Sequence, residues 1–172
     1  MLALERGGAI VADVVLFPLT GEWFYAEKGK GANKNGTRIE VPIDQFPLEK
    51  SYIMLNPHHD PSLSNPLMLS LQQELRDRHI GFEQRLLHSG AGIRVVEGES
   101  HLSVVVHDNS ELSGKQKLWD VAAPKIIIEE VGGVFLGEDL NPYDPKRPGL
   151  IIIARSEERA REVDSMIKGK VG

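Results

Sequence analysis

Asp120 heads the segment of this 172-residue chain whose residue types come closest to a chemical site: Q-K-L-W-D-V-A-A-P-K-I-I-I-E-E-V-G-G over residues 116–133. After it, Val121, Ala122, Lys125, Ile126, Glu129 and Glu130 follow a helical period with a wide apolar stripe, and Gly132-Gly133 offers a left-handed stop. A proline inside a helix clashes with the carbonyl four residues back, and for Pro124 that carbonyl belongs to Asp120. The spacing therefore predicts a helix over 121–131, with Asp120 at its mouth or just outside. A carboxylate so placed can cap first-turn N–H groups or be aimed outward as a metal ligand, and these residues alone leave both roles open.

A second candidate is His88-Ser89-Gly90-Ala91-Gly92, between a predicted strand and a predicted helix. Ser89 is a natural N-cap, and the free N–H groups of a glycine-rich helix start suit an anion; an ordinary strand-to-helix turn uses the same residues. Arg94 could meet a phosphate from there, but the first turn of a helix is an exposed place and exposure is the expectation. Other clusters carry less. His58-His59-Asp60 lies between Pro57 and Pro61, and neighbouring histidines on an extended chain point to opposite sides, which is poor metal-site geometry. Residues 28–36, K-G-K-G-A-N-K-N-G, lack the G-x-x-x-x-G-K-[ST] spacing of a phosphate loop and lead into a strand, so they read as a glycine-rich connection. Asn35-Gly36 is the pair preferred at a type I′ turn. Residues 141–145 form a turn cluster, and Glu129 and Glu130 read as a solvated or core-edge pair far from Asp120 along the helix.

The elements that must position these groups divide at residues 42–50, a polar connector marked by prolines. Before it, short strands at 2–4, 9–16, 23–26 and 38–41 form an antiparallel meander. After it, strands at 52–55, 82–88, 102–107, 134–136 and 150–154 alternate with helices at 65–78, 91–97, 121–131 and 157–168. That alternation indicates an α/β layer with a mixed sheet, in which the continuous apolar run 150–153 is a central strand buried on both faces. The expected fold class is α/β (α+β layered), a meander in 1–41 followed by a mixed α/β sandwich in 51–172.

Composition narrows the partners. Apolar residues make up 41% of the chain, no run approaches the roughly 20 residues of a membrane span, and no secretory signal is visible. The net charge of −5 argues against nucleic acid or an anionic membrane surface as partner. Zero cysteines exclude disulfides and thiolate metal sites, and fit a reducing, cytoplasmic setting.

W-D-V-A-A followed by E-E-V-G-G resembles the C-terminal signature of the inositol monophosphatase family, the magnesium-dependent, lithium-sensitive phosphatases, and E-W-F-Y-A-E-K-G-K-G-A with N-G soon after resembles a hairpin of its N-terminal domain. The resemblance covers nearly the whole chain, about 2–168, and implies a truncated sugar-phosphatase-like fold. It implies that Asp120 binds a catalytic metal ion, Mg²⁺, and that Ser89, Gly90, Ala91 and Gly92 touch a small phosphorylated substrate. His107 falls where inositol-specific members carry an acidic residue for a sugar hydroxyl, a departure that questions myo-inositol phosphate itself. K-L-W-D-V-A-A-P with S-G-A-G is also similar to the 3′(2′),5′-bisphosphate nucleotidase branch.

The family's D-P-x-D-G-T segment, with two metal-binding Asp and a Thr that orients the attacking water, does not occur in these 172 residues. One exposed Asp would hold Mg²⁺ weakly or not at all, so the chain alone is expected to be inactive. The family's N-terminal helices cover one face of the first sheet; without them that face is a partner site, and a homo-oligomer or a second chain supplying the missing half is expected. The alternative is a non-catalytic remnant that serves as a ligand-binding or scaffold module.

Overall fold

The computed structural model describes residues 1–40, 47–56, 66–84, 90–98, 101–107, 118–137, 140–143 and 149–168. Five antiparallel strands form the first sheet in sequence order: β1 (Leu2–Arg6), β2 (Ala9–Phe17), β3 (Glu22–Glu27), β4 (Gly31–Lys34) and β5 (Thr37–Arg38). The meander is as expected. The glycine-rich connection, however, is itself partly a strand, because β4 pairs along β3 from Phe24↔Lys34 to Glu27↔Gly31. Asn35 and Gly36 follow it with φ of 51° and 82°, the two left-handed conformations that a type I′ turn requires.

The second sheet has the order β7-β6-β8-β10-β9, built from β6 (Ile53–Asn56), β7 (Phe82–Gln84), β8 (Leu102–His107), β9 (Val134–Leu136) and β10 (Gly149–Ala154). β6 is parallel to β7 and β8, and β10 is antiparallel to both β8 and β9. This is the mixed sheet that the alternating pattern predicts, with α1 (Pro66–Asp77), α2 (Gly90–Glu97), α3 (Leu118–Glu130) and α4 (Glu157–Lys168) around it.

The layers follow from which side chains share a core. Val15, Phe24, Ala26 and Ala32 of the first sheet pack with Ile93 and Val96 of α2, Ile126, Ile127 and Ile128 of α3, and Met54, Val105, Ile151 and Ile153 of the second sheet. Leu55, Val104, Leu150 and Ile152 point to the other side, onto Met68, Leu71 and Leu75 of α1 and Ala160, Val163 and Ile167 of α4. The order is sheet, helix pair, sheet, helix pair. Three consecutive isoleucines of α3 are buried because that helix lies between two sheets, and a helix apolar all round is a buried one. The strand pattern says the same of β10, whose residues alternate between the two cores.

The start of α3 differs from expectation in an informative way, while its end does not. α3 starts at Leu118, so Asp120 lies within the first turn and Pro124 is its seventh residue, inside the helix. The proline disturbs only one early carbonyl, and its buried ring packs beside Gly92 of α2, so tertiary contact outweighs the local penalty. The glycine pair ends α3 as the sequence predicts: Gly132 has φ +84°, its N–H donates to the Glu129 carbonyl, and the Gly133 N–H donates to the Ile128 carbonyl, a Schellman motif.

Candidate functional site

Chain direction fixes where the candidate residues meet. β7, β6 and β8 are parallel, and α2 leaves the carboxyl end of β7 to return to the start of β8. α3 leaves the carboxyl end of β8 and returns to β9, which the two antiparallel pairings of β10 make parallel to β8. Both helices therefore begin at the same end of the sheet. Gly90, Ala91 and Gly92 open α2, Asp120 lies in the first turn of α3 and His107 is the last residue of β8, so five of the six sequence-predicted site residues share the carboxyl end of the parallel strands. Ligands of open α/β sheets bind at that end. Two helices thus begin at that end, and a helix N-terminus favours an anion.

Ser89, and the His58-His59-Asp60 cluster, lie outside the described residues. Ala91 is the second residue of α2. Gly92 has a packing role: a Cβ there would stand 2.6 Å from Ile128 Cδ1 and 3.2 Å from Pro124 Cβ, so its lack of a side chain lets α2 and α3 approach. Arg94 is half-buried rather than exposed and pairs with Glu97 at 3.7 Å. Among the residues 141–143 that are described, Asn141 accepts the Gly137 N–H and Tyr143 stands edge-on to Phe135, which are turn and packing contacts. No group of three or more His, Cys, Asp or Glu that could hold a metal ion occurs among the described residues.

The opposite ends of both helices are tied to the β3–β4 hairpin. Glu130, at the end of α3, accepts the Gly29 N–H at 2.7 Å and the Gly31 N–H at 2.8 Å. The glycines of K-G-K-G thus cradle a carboxylate of the chain itself. Glu130 is a core-edge residue, as its pattern suggests, while Glu129 is exposed and pairs with Lys125. Lys34 joins Glu97, at the end of α2, to Glu22 of β3 at 2.6 Å, and its ammonium sits 5.3 Å from the centre of the Phe24 ring. Both partners hold Lys34 more firmly protonated than a free lysine, with Glu22 the larger influence. The hairpin anchors the C-terminal ends and leaves the N-terminal ends to face the site.

One acidic residue escapes a motif-based reading. Asp13, in the middle of β2, is 2% exposed on the inner face of the first sheet, under α3. Its only sequence signal is an acid at an inward position of the apolar run A-I-V-A-D-V-V-L-F.

A family model described as the inositol monophosphatase family matches residues 1–168. Inositol monophosphatase 2 of Homo sapiens is 28% identical over 154 residues, covering 83% of this chain and 49% of that protein. Histidinol-phosphatase of Chlorobaculum parvum is 29% identical over 136 residues, covering 77% of this chain and 47% of that protein. The crystal structure of the extragenic suppressor protein suhB from Bartonella henselae superposes with a TM-score of 0.80 at 24% identity, over 98% of this chain and 60% of that one. The chain spans about half the length of the curated relatives it matches.

Proposed function

Because the chain belongs to the inositol monophosphatase family, we propose that it forms the substrate-facing part of a phosphomonoesterase acting on a small phosphate ester. What supports this reading is that α2, which Gly90 opens, and α3, with Asp120 in its first turn, both begin at the carboxyl end of the parallel strands, where β8 ends at His107. The N–H groups at the start of α2, with Ser89 to Gly92, hold the phosphate, and Asp120 contributes one carboxylate to a Mg²⁺ site. His107 bears on the ester's organic part. An imidazole accepts or donates only a single hydrogen bond per nitrogen, which disfavours a polyol held through a carboxylate.

The donor set among the described residues does not fit Mg²⁺ by itself. That ion takes six oxygens in near-ideal octahedral geometry and dehydrates reluctantly, while Asp120 supplies one side chain. The D-P-x-D-G-T segment, which in the family supplies further carboxylates and the group that orients water, does not occur in these 172 residues. The outer face of the first sheet is where the supplying polypeptide, or a second copy, docks. Leu2 and Leu4 of β1, Leu16 of β2 and Trp23 of β3 form an exposed apolar strip there, in register through the pairs Leu2↔Val14 and Leu16↔Trp23.

The test is thermal unfolding with and without millimolar Mg²⁺ and inorganic phosphate, with phosphomonoester hydrolysis followed on the same sample. The expected result is no turnover by the chain alone, and Mg²⁺-dependent turnover once a polypeptide bearing D-P-x-D-G-T is added, abolished by Asp120→Asn. Hydrolysis by the chain alone that survives Asp120→Asn overturns both the metal role and the need for a second part. A shift with phosphate but no turnover in any mixture favours a binding module.

A further inference from the structure

Of the described ionisable side chains, only Asp13 and Arg159 are buried, and Arg159 is paired with Glu162 at 2.6 Å. Asp13 lies between Ala3 of β1 and Ala26 of β3, on the face that carries Val15, and neither of its oxygens has a hydrogen-bond partner among the described residues. The small side chains on both sides make room for it but offer no donor. Its backbone neighbours are committed to the ladders of β1 and β3, and across the layer α3 bonds within itself.

Charged groups on the surrounding elements are engaged elsewhere. On α3, Lys125 pairs with Glu129, and Glu130 takes the N–H groups of Gly29 and Gly31. On β3 and β4, Glu27 pairs with Lys30, and Glu22 with Lys34. Glu5 and Arg6 of β1 are exposed. Asp120, on the same helix, could add only a like charge. An ionised Asp13 would give up its hydration and receive nothing in return, a far larger cost than that of the neutral acid.

We infer that Asp13 is a proton latch: α3 closes on the first sheet over the neutral acid, and loss of that proton to solvent at alkaline pH loosens α3 from β1, β2 and β3. Burial pushes the carboxyl up to about 8. The unfolded chain releases this proton near pH ~4. Between the two values the folded state holds one more proton than the unfolded state, so stability falls as pH rises through that window. Below pH ~4 both states are protonated and the penalty is absent, and above about 8 both are ionised and the whole penalty is present.

The experiment uses the whole chain. Denaturant unfolding is measured in steps from roughly pH 5 to 9 for the wild type, Asp13→Val and Asp13→Ala, while the carboxyl ¹³C resonance of Asp13 is followed in the wild type. The folding equilibrium constant of the wild type should fall, relative to either variant, by close to tenfold per pH unit between roughly 5 and 7.5. The resonance should titrate far above the ordinary aspartate range, and amide exchange in α3, corrected for its intrinsic pH dependence, should speed up beyond that point. Parallel pH profiles for wild type and variants, or a carboxyl midpoint near ~4, overturn the proposal. Should neither variant fold, the resonance of the wild type decides.

Discussion

The two sheets carry similar sequence signatures and meet different surroundings. In β10, Ile151 and Ile153 enter the core shared with α2 and α3, while Leu150, Ile152 and Ala154 enter the core shared with α1 and α4. β1 and β2 also place apolar residues at both parities, yet only the inner set, such as Val15, is covered. Leu2, Leu4, Leu16 and Trp23 on the outer face are 73%, 57%, 51% and 37% exposed. An apolar residue on each face is thus a statement about two covers, and for the first sheet one of them is not among the described residues. The same sheet carries a buried acid where the second has isoleucine. Among the described residues, the first sheet is covered on one face and the second on both.

Core truncation should separate them most sharply. Ile151→Ala removes a fully buried side chain from the second sheet and should cost about 2–5 kcal/mol in denaturant unfolding. A loss below about 1 kcal/mol would mean that cover on both faces does not make the second sheet the more sensitive one. Next comes the tie between α3 and the first sheet. Glu130→Gln keeps the size of the side chain but removes the charge that strengthens both N–H bonds, and should cost roughly 1–2 kcal/mol. An unchanged midpoint would show that packing alone docks the helix. Gly132→Ala forces a left-handed residue at the α3 stop and should cost about 1 kcal/mol, read as a lowered melting temperature. The smallest effect on the folded monomer is expected for Leu16→Ser on the bare face, within about 0.5 kcal/mol. That variant should instead weaken association, so sedimentation at rising concentration checks it. A large loss of monomer stability would mean that the outer strip is already part of a core.

Much of the fold was legible because its signals are local. The helix at 157–168 and the strands at 102–107 and 134–136 have the bounds that hydrophobic period predicts. Asn35-Gly36 and Gly132-Gly133 act as backbone punctuation through their own dihedral angles. W-D-V-A-A with E-E-V-G-G pointed to the family that the whole-chain match then identifies. The site was legible only as a set of names along the chain. That Gly90, His107 and Asp120 share one end depends on β6, β7 and β8 being parallel, which no short motif encodes.

What the sequence determined by itself was therefore the menu of elements, their stops and turns, and the family, since each rests on residues within a few positions of one another. Tertiary structure alone decided three things. Pro124 lies inside α3 because Gly92, 32 positions away, lets its ring pack against α2. Glu130 binds turn glycines 101 and 99 positions earlier in the chain. Asp13 has no partner among the described residues because the strands and helix that surround it, drawn from distant parts of the chain, bring alanines and closed backbone ladders to its side chain. Burial is set by what the chain folds back upon, and desolvation cannot be read from a residue's own neighbours in sequence.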